Sequence, residues 1–181
     1  MAESEHSNVR MPTVYTEPTL FIFAGLPATG KTTLAQQLAA DLKAVHLRID
    51  TIEQALRDLC GVQVEGEGYR LAYRIAADNL RLGTSVVADS CNTIEFTRRE
   101  WEGVAQSEGA RFVNIEVICS DRAEHRSRVE SRIGSIPKLK LSTWDQVLAR
   151  EYHSWSVPRI TIDTAGDSPD KSYKELRARV N

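Results

Sequence analysis

The residues best suited to chemistry lie in one short segment, GLPATGKT, which runs from Gly25 to Thr32. This segment matches the pattern G-x-x-x-x-G-K-[ST], in which glycines let the backbone wrap a phosphate group with its N–H groups turned inward. Lys31 would reach the outer phosphates as a point charge, and Thr32 would ligate Mg²⁺ through its hydroxyl. The alternative is a glycine-rich turn between a strand and a helix that carries an exposed lysine. The predicted phosphate-binding residues are Gly25, Leu26, Pro27, Ala28, Thr29, Gly30, Lys31, Thr32 and Thr33.

The elements around this loop follow from the alternation of apolar runs and amphipathic stretches. Runs typical of buried strands cover residues 19–24, 44–50, 84–89, 111–118 and 159–163. Helical spacing is found near residues 31–42, 51–60, 69–82, 92–106, 121–133 and 142–154, and again from 168 onward. The residue pairs expected to cap three of these helices are Thr51 with Gln54, Asn92 with Glu95, and Ser142 with Asp145. This order predicts parallel βαβ units, in which ligands bind beyond the carboxyl ends of the strands.

Length and composition narrow the classes of function. The 181 residues suit one compact domain, predicted for 19–181 after a loose leader at 1–18. A net charge of -2 argues against an extended surface for nucleic acid, and no apolar run approaches the roughly 18 residues of a membrane span. The cysteines, at 60, 91 and 119, are widely spaced and form no metal-type pair. We therefore expect a cytoplasmic protein of open oligomeric state with no membrane partner, and the charge disfavours nucleic acid as a partner without excluding a local contact.

Five segments in order resemble one family of nucleotide-binding proteins. They are GLPATGKTTLA, HLRID, VVADSCN, RVESR and ITIDTAG, and they extend over nearly all of the chain after Leu20. The chain resembles the P-loop kinases of the nucleoside-monophosphate-kinase-like group. Within that group it looks most like the small "predicted kinase" ATPases, which include gluconate kinase-like, zeta-toxin-like and polynucleotide-kinase-like proteins. The resemblance implies an α/β P-loop NTPase three-layer sandwich with a five-stranded parallel sheet in the order 2-3-1-4-5. It also implies a helical lid at about 133–141 and ATP with Mg²⁺ as the phosphoryl donor.

Two carboxylates, Asp50 and Asp89, end neighbouring strands in the order that the resemblance implies. Asp50 suits the role of holding the phosphoryl acceptor and taking its proton, whereas Asp89 suits a ligand to Mg²⁺ or its water. The alternatives are a helix N-cap for Asp50 and a turn carboxylate for Asp89. One departure concerns Glu53, because polynucleotide-kinase-like members have an arginine at this position. The departure argues against a polynucleotide or an anionic 5′-end as acceptor.

Arginines of the RVESR segment are the candidates for the lid. Arg128 and Arg132 are four residues apart, which predicts one helical face, and guanidinium groups suit phosphate oxygens. The resemblance implies that Arg128 lies near adenine or its phosphates and that Arg132 stabilises the migrating phosphoryl group. The alternative is a basic surface helix. Further candidates for acceptor or phosphate contacts are Arg57, Arg70, Tyr73, Arg74, Asn92, Arg99, Arg122, Arg126 and Arg150.

Other side chains are expected to be structural. Three scattered histidines, at 46, 125 and 153, have no partner at metal-ligand spacing. Three aromatic residues, at 144, 152 and 155, are expected to pack the lid helices. The expected function is transfer of the γ-phosphate of ATP to a small molecule, with Lys31, Asp50 and Arg132 as catalytic residues. The alternatives are a regulatory ATP-binding or ATP-hydrolysing module that acts through a protein partner, and a nucleic-acid 5′ kinase.

Overall fold

The structure is a computed structural model, and it describes residues 17–180. Its strands are β1 Thr19–Ala24, β2 Val45–Arg48, β3 Val86–Asp89, β4 Arg111–Ile118 and β5 Ile160–Asp163. Its helices are α1 Lys31–Leu42, α2 Ile49–Cys60, α3 Glu67–Arg81, α4 Glu95–Ser107, α5 Arg122–Ser131, α6 Trp144–Leu148 and α7 Pro169–Arg179. The predicted leader lies almost wholly outside the described residues, and the division at residue 19 stays a prediction.

All four strand pairs are parallel, and the sheet order is β2-β3-β1-β4-β5. The predicted order 2-3-1-4-5 is therefore confirmed. The central strand β1 is buried along its whole length, and its side chains alternate between two hydrophobic clusters. Phe21 and Phe23 pack against α1 and α7 on one face, whereas Leu20 and Ile22 pack against α3 and α4 on the other. This alternation makes the sheet the middle layer of three.

The first turn of α2 begins earlier than expected. β2 ends at Arg48, and Asp50 lies in the first turn of α2 instead of at the end of the strand. Ile49 is buried against the second hydrophobic cluster, so the chain turns into the helix as soon as this side chain enters the core. A carboxylate in the first turn also suits the positive end of the helix dipole.

The three predicted capping pairs are wrong. Thr51 lies inside α2, where Gln54 is buried and donates a hydrogen bond to Asp58. Asn92 is buried and donates to the Phe23 carbonyl at 2.7 Å, so its side chain holds β1 instead of starting α4. For α6 the capping box is one residue later than expected, at Thr143 and Gln146, and the helix ends at Leu148. Within residues 17–180, no helix is long and apolar enough to cross a membrane.

Candidate functional site

Two glycines of the phosphate loop hold backbone positions that a larger residue would disturb. Gly25 has φ 140°, and a Cβ added there would lie 2.2 Å from the Val117 carbonyl oxygen. Its N–H also donates a 2.9 Å hydrogen bond to the Cys91 carbonyl. Gly30, at φ 96°, precedes the first residue of α1. The loop is thus wedged between β4 and the segment after β3, and its path requires glycine.

Lys31 is the first residue of α1, and its side chain folds back into the loop. Its ammonium donates a 2.9 Å hydrogen bond to the Leu26 carbonyl, which also accepts from the Thr29 hydroxyl at 3.0 Å. The residue is only 6% exposed, which rules out the alternative of an exposed lysine on a simple turn. Behind the loop, the His125 ring nitrogen lies 2.8 Å from the Pro27 carbonyl oxygen and holds that peptide. The ammonium is therefore held among loop peptides, where a phosphate would be bound.

Thr32 and Asp89 meet at the start of α1. The Thr32 hydroxyl donates to Asp89 Oδ1 at 3.3 Å, although 57 residues separate the two. The other carboxylate oxygen lies 3.3 Å from His46 Nε2 and 4.0 Å from Arg48 Nε. Asp89 is 3% exposed, so its charge is compensated by these neighbours and not by water.

These oxygen atoms fit the requirements of Mg²⁺. Within the described residues, no group of three or more His, Cys, Asp or Glu side chains could hold a metal ion by itself. Mg²⁺ bound with a nucleotide needs no such cage, because it takes one or two protein oxygens together with phosphates and water. The Thr32 hydroxyl and the Asp89 carboxylate offer that donor set. His46, which is expected to be structural, lies with its ring 3.3 Å from this carboxylate and so helps to position it.

A cavity at this end of the sheet has a volume of about 530 Å³. It brings Lys31, Asp89, Asp50 and Arg132 to one space, although four different segments supply them. Asp50 is exposed at the mouth of the cavity, on the first turn of α2. The shift of Asp50 from strand to helix thus leaves it beside the phosphate loop, as expected.

Residues 132–143 connect α5 to α6 without a helix or strand of their own and cover this cavity. Arg48 donates a 2.9 Å hydrogen bond to the Ser135 hydroxyl, and the Lys138 ammonium lies 3.9 Å from Asp58. The resemblance implies a helical lid at about 133–141, but this segment contains no helix and is only flanked by α5 and α6. These polar contacts join it to β2 and α2.

Arg132 lies past the end of α5, which corrects the expected helical face shared with Arg128. Its backbone is extended, and its guanidinium turns towards the cavity and donates to the Ser142 carbonyl at 3.2 Å. The Nε atom is buried and has no hydrogen-bond partner within the part of the chain that the structure describes. Burial lowers the pKa of this guanidinium, against the opposing effect of Cys91 and Asp50. Arg132 is thus a poorly solvated cation next to the phosphate loop.

Arg128 lines a second cavity of about 320 Å³. Its guanidinium donates to the hydroxyl of Thr164 at 2.7 Å and to the carbonyl of the same residue at 2.8 Å, and it pairs with Glu124. The Thr164 hydroxyl in turn donates to the Thr29 carbonyl at 2.9 Å. This chain of bonds ties α5 and the loop after β5 to the phosphate loop. Ala28 lines both cavities, so the loop lies between them.

Most of the other arginine candidates lie elsewhere. Arg57 and Arg150 line the large cavity, and Arg57 pairs with Glu53 at 3.3 Å. Arg99 pairs with Glu95 at the surface. Candidates that do not line the large cavity are Arg70, Tyr73, Arg74, Asn92, Arg99, Arg122 and Arg126.

The aromatic residues divide into two groups. Trp144 packs edge-on against His125, 5.3 Å between ring centroids, so it packs the lid helices as expected. Tyr152 and Trp155 instead donate hydrogen bonds to Glu116 on β4. The prediction that all three pack the lid helices is therefore wrong for these two.

Sequence reasoning missed Arg48 and Thr164 as members of the site. The spacing could have indicated Arg48. It is two residues before Asp50, and every second side chain of a strand lies on the same face of the sheet. Thr164 carried no such signal. Its part depends on a hydroxyl that meets the phosphate loop 135 residues away in sequence.

The family model AAA_33, described as an AAA domain, matches residues 20–152. A search of curated proteins found no match. Three solved structures illustrate the fold. A gluconokinase from Sinorhizobium meliloti is 12% identical, with 89% of this chain and 90% of that chain covered and a TM-score of 0.64. The APS kinase CysC from Mycobacterium tuberculosis, in complex with AMPPNP and APS, is 16% identical over 90% and 96%, with a TM-score of 0.63. Kti12 from Chaetomium thermophilum, in complex with ADP-AlF3, is 19% identical over 90% and 99%, with a TM-score of 0.63.

At these identities the solved structures show the fold alone. The family model matches well over half of the chain and shows the family. Both agree with the phosphate loop and the sheet order. The chain therefore belongs to the AAA_33 family of AAA domains and has the fold of the P-loop kinase-like NTPases.

Proposed function

We propose that this protein is an ATP-dependent phosphotransferase that moves the γ-phosphate of Mg-ATP to a small-molecule acceptor. One observation carries the proposal: the phosphate loop lies between two cavities. The smaller cavity contains Arg128 and the loop after β5, and would take the adenosine part of ATP. The larger one contains Asp50, Asp89 and Arg132, and is large enough for an acceptor. A phosphoryl group held at Lys31 would face the second space.

The residues of the large cavity suit a transfer that depends on position and charge. Phosphoryl transfer has a loose transition state, so catalysis comes mainly from alignment and from cations around the phosphoryl oxygens. Lys31 and Arg132 would supply those cations. Asp50 would orient the acceptor hydroxyl and take its proton late in the transfer. Thr32 and Asp89 would hold Mg²⁺, which would neutralise negative charge on the phosphate groups.

Residues 132–143 would serve as the lid of this site. Closing the segment over ATP and acceptor would exclude water and reduce wasteful hydrolysis. The contacts of Ser135 with Arg48 and of Lys138 with Asp58 support this role, because they link the lid to the acceptor side of the cavity. We expect residues 133–141 to exchange amide hydrogens faster without nucleotide than with a bound bisubstrate analogue.

A regulatory ATPase that acts through a protein partner is the second candidate. It is favoured by the likeness to Kti12 in complex with ADP-AlF3, which matches over 90% of this chain. The two candidates differ in what accelerates turnover. A phosphotransferase releases ADP faster when a small-molecule acceptor is added, whereas a regulatory module responds to a protein.

The decisive experiment combines a variant with a screen. Lys31→Ala should weaken ATP binding and abolish turnover without unfolding the protein, because it removes the ammonium inside the phosphate loop. Lys174→Ala, which removes an exposed lysine on α7, is the matched control and should behave as wild type. A metabolite library is then screened for acceptor-dependent ADP release. Unchanged turnover in folded Lys31→Ala would overturn the proposal.

A further inference from the structure

We infer that Arg48 binds an anionic group on the phosphoryl acceptor, so that the acceptor is a small hydroxy compound with a carboxylate, phosphate or sulfate group. This inference rests on the proposed function, because it names the class of molecule that the same cavity would receive. Within the protein, Arg48 lies 4.0 Å from Asp89 and donates to Ser135 of the lid.

The large cavity has more positive than negative side chains. Seven lysine and arginine residues line it, against three acidic residues. Of the cations, Lys31 and Arg132 are needed for the phosphates of ATP. Arg57 is paired with Glu53 at 3.3 Å. A positive excess therefore remains on the acceptor side, and it favours an acceptor with negative charge.

Among the remaining cations, Arg48 is the enclosed one. Its side chain is 17% exposed, whereas that of Lys138 is 76% exposed and lies 3.9 Å from Asp58. Lys140 and Arg150 are exposed as well, so water screens their charge. An enclosed guanidinium interacts more strongly with a ligand than an exposed ammonium does.

The hydrogen-bond donors of Arg48 are only partly used. One terminal nitrogen donates to the Ser135 hydroxyl at 2.9 Å. The Nε atom is shielded from solvent and has no hydrogen-bond partner among residues 17–180, and the Asp89 carboxylate oxygen is 4.0 Å away. An oxyanion bound in the cavity would accept from the guanidinium donors that Ser135 leaves unused. Carboxylate, phosphate and sulfate groups all match the forked donors of a guanidinium.

The place of Arg48 in the fold puts an anion next to the reaction. Arg48 pairs with Asp89 in the register of β2 and β3, and it is two residues before Asp50. An anion on Arg48 would thus fix the acceptor at the end of the sheet where Asp50 can reach a neighbouring hydroxyl. The distance that separates the anion from the reacting hydroxyl would then select among acceptors.

The contacts of Glu53 bear on whether the acceptor can be anionic. Its presence in place of an arginine argued against an anionic acceptor on sequence grounds. In the structure Glu53 is held by Arg57 and packs against Gly68, where an added Cβ would lie 2.3 Å from its Cγ. The guanidinium comes instead from Arg48, the last residue of β2. The missing arginine at 53 is therefore no obstacle to an anionic acceptor.

The first test uses inorganic sulfate as the probe, titrated calorimetrically into the protein saturated with AMPPNP and Mg²⁺ so that the phosphate loop is filled. Wild type should bind one sulfate, and Arg48→Gln should weaken binding at least tenfold. Arg48→Lys keeps the charge but loses the fork, and should weaken it at least threefold. Arg74→Gln is the control, because Arg74 is exposed and does not line the cavity, and it should stay within twofold of wild type. No saturable binding, or Arg48→Gln equal to wild type, overturns the inference.

The second test pairs each anionic hydroxy compound with a neutral counterpart, such as gluconate with sorbitol and glycerol 3-phosphate with glycerol. The anionic members should stimulate ADP release more, and Arg48→Gln should raise the KM of the best one at least tenfold while ATP affinity stays within threefold. A neutral acceptor used equally well by wild type and Arg48→Gln overturns the inference but leaves the phosphotransferase intact. Failure of AMPPNP to bind wild type overturns the proposed function instead, and sulfate titration of the nucleotide-free protein and its Arg48→Gln variant still decides the role of Arg48.

Discussion

Replacing Gly25 by alanine should disturb both the stability of the fold and the binding of nucleotide. Gly25 is the first residue of the phosphate loop and has φ 140°, which L-residues rarely adopt. The added Cβ would lie 2.2 Å from the Val117 carbonyl oxygen, within the backbone of β4. β4 is hydrogen-bonded to β1 on one side and β5 on the other, so it cannot move away. The phosphate loop must therefore move.

The size of the effect follows from these distances. Restoring an ordinary C···O contact requires a shift of roughly 1 Å. The unfavourable φ costs about 1–3 kcal/mol, and the crowding costs about 1–3 kcal/mol more. Together they would remove about 2–6 kcal/mol from a stability of typically 5–15 kcal/mol. A loop displaced by about 1 Å would also misplace its N–H groups, and errors of that size commonly cost on the order of 10²-fold in function.

Urea denaturation and a calorimetric nucleotide titration measure the two effects. Gly103→Ala is the matched control, because Gly103 lies in α4, is exposed, and an added Cβ meets nothing within 4 Å. This control should gain about 0.5–1 kcal/mol of stability and bind nucleotide normally. A Gly25→Ala protein within about 0.5 kcal/mol of wild type, with unchanged nucleotide affinity, would refute the reasoning.

Three further predictions concern single side chains. Arg132→Ala should lower kcat more than it weakens ATP binding, because the contact of Arg132 strengthens in the transition state. Arg126→Ala, which breaks a surface ion pair, is the control. An effect of Arg132→Ala on KM alone would contradict the role. Asp50→Asn should lower kcat about 10²-fold with ATP binding unchanged, whereas Asp89→Asn should be partly rescued by raising Mg²⁺; rescue of Asp50→Asn alone would reverse the two roles. For Glu116, burial raises the pKa, but hydrogen bonds and a nearby arginine outweigh burial and leave this pKa below its usual 4.5. Its contribution to stability is thus present above about pH 4.5 and is lost as the pH falls through the lowered pKa. Glu116→Gln should therefore cost about 1–3 kcal/mol near pH 7, because buried donors lose their acceptor, and should flatten the acid limb of a stability–pH curve; an unchanged acid limb would count against the ion pair.

The phosphate loop is the part of the site that sequence alone determines. Its backbone groups, Lys31 and Thr32 lie within eight consecutive residues, so their mutual positions depend on local conformation. The run before it and the helix after it are read from periodicity for the same reason. β4, at Arg111–Ile118, has the predicted bounds, since an uninterrupted run of mostly apolar residues has no competing conformation nearby.

Local patterns failed where a distant part of the chain competed for the same side chain. Asn92 was expected to cap a helix, yet it donates to the carbonyl of Phe23 on β1, 69 residues away. Asp50 was assigned to a strand, but burial of Ile49 starts the helix one residue before it. In both cases the core and the buried backbone groups decided the outcome, because they outweigh the small preferences of a capping residue.

Assembly of the cavity was decided by the tertiary structure. The parallel register sets Arg48 opposite Asp89, and the path of the lid brings Ser135 to Arg48 across 87 residues of sequence. In the sequence, Asp89 is a carboxylate at the end of one predicted strand, and Arg48 is a residue of another. Only the pairing of β2 with β3 makes them neighbours, because the carboxyl ends of adjacent parallel strands meet at one edge of the sheet wherever those strands lie in the chain.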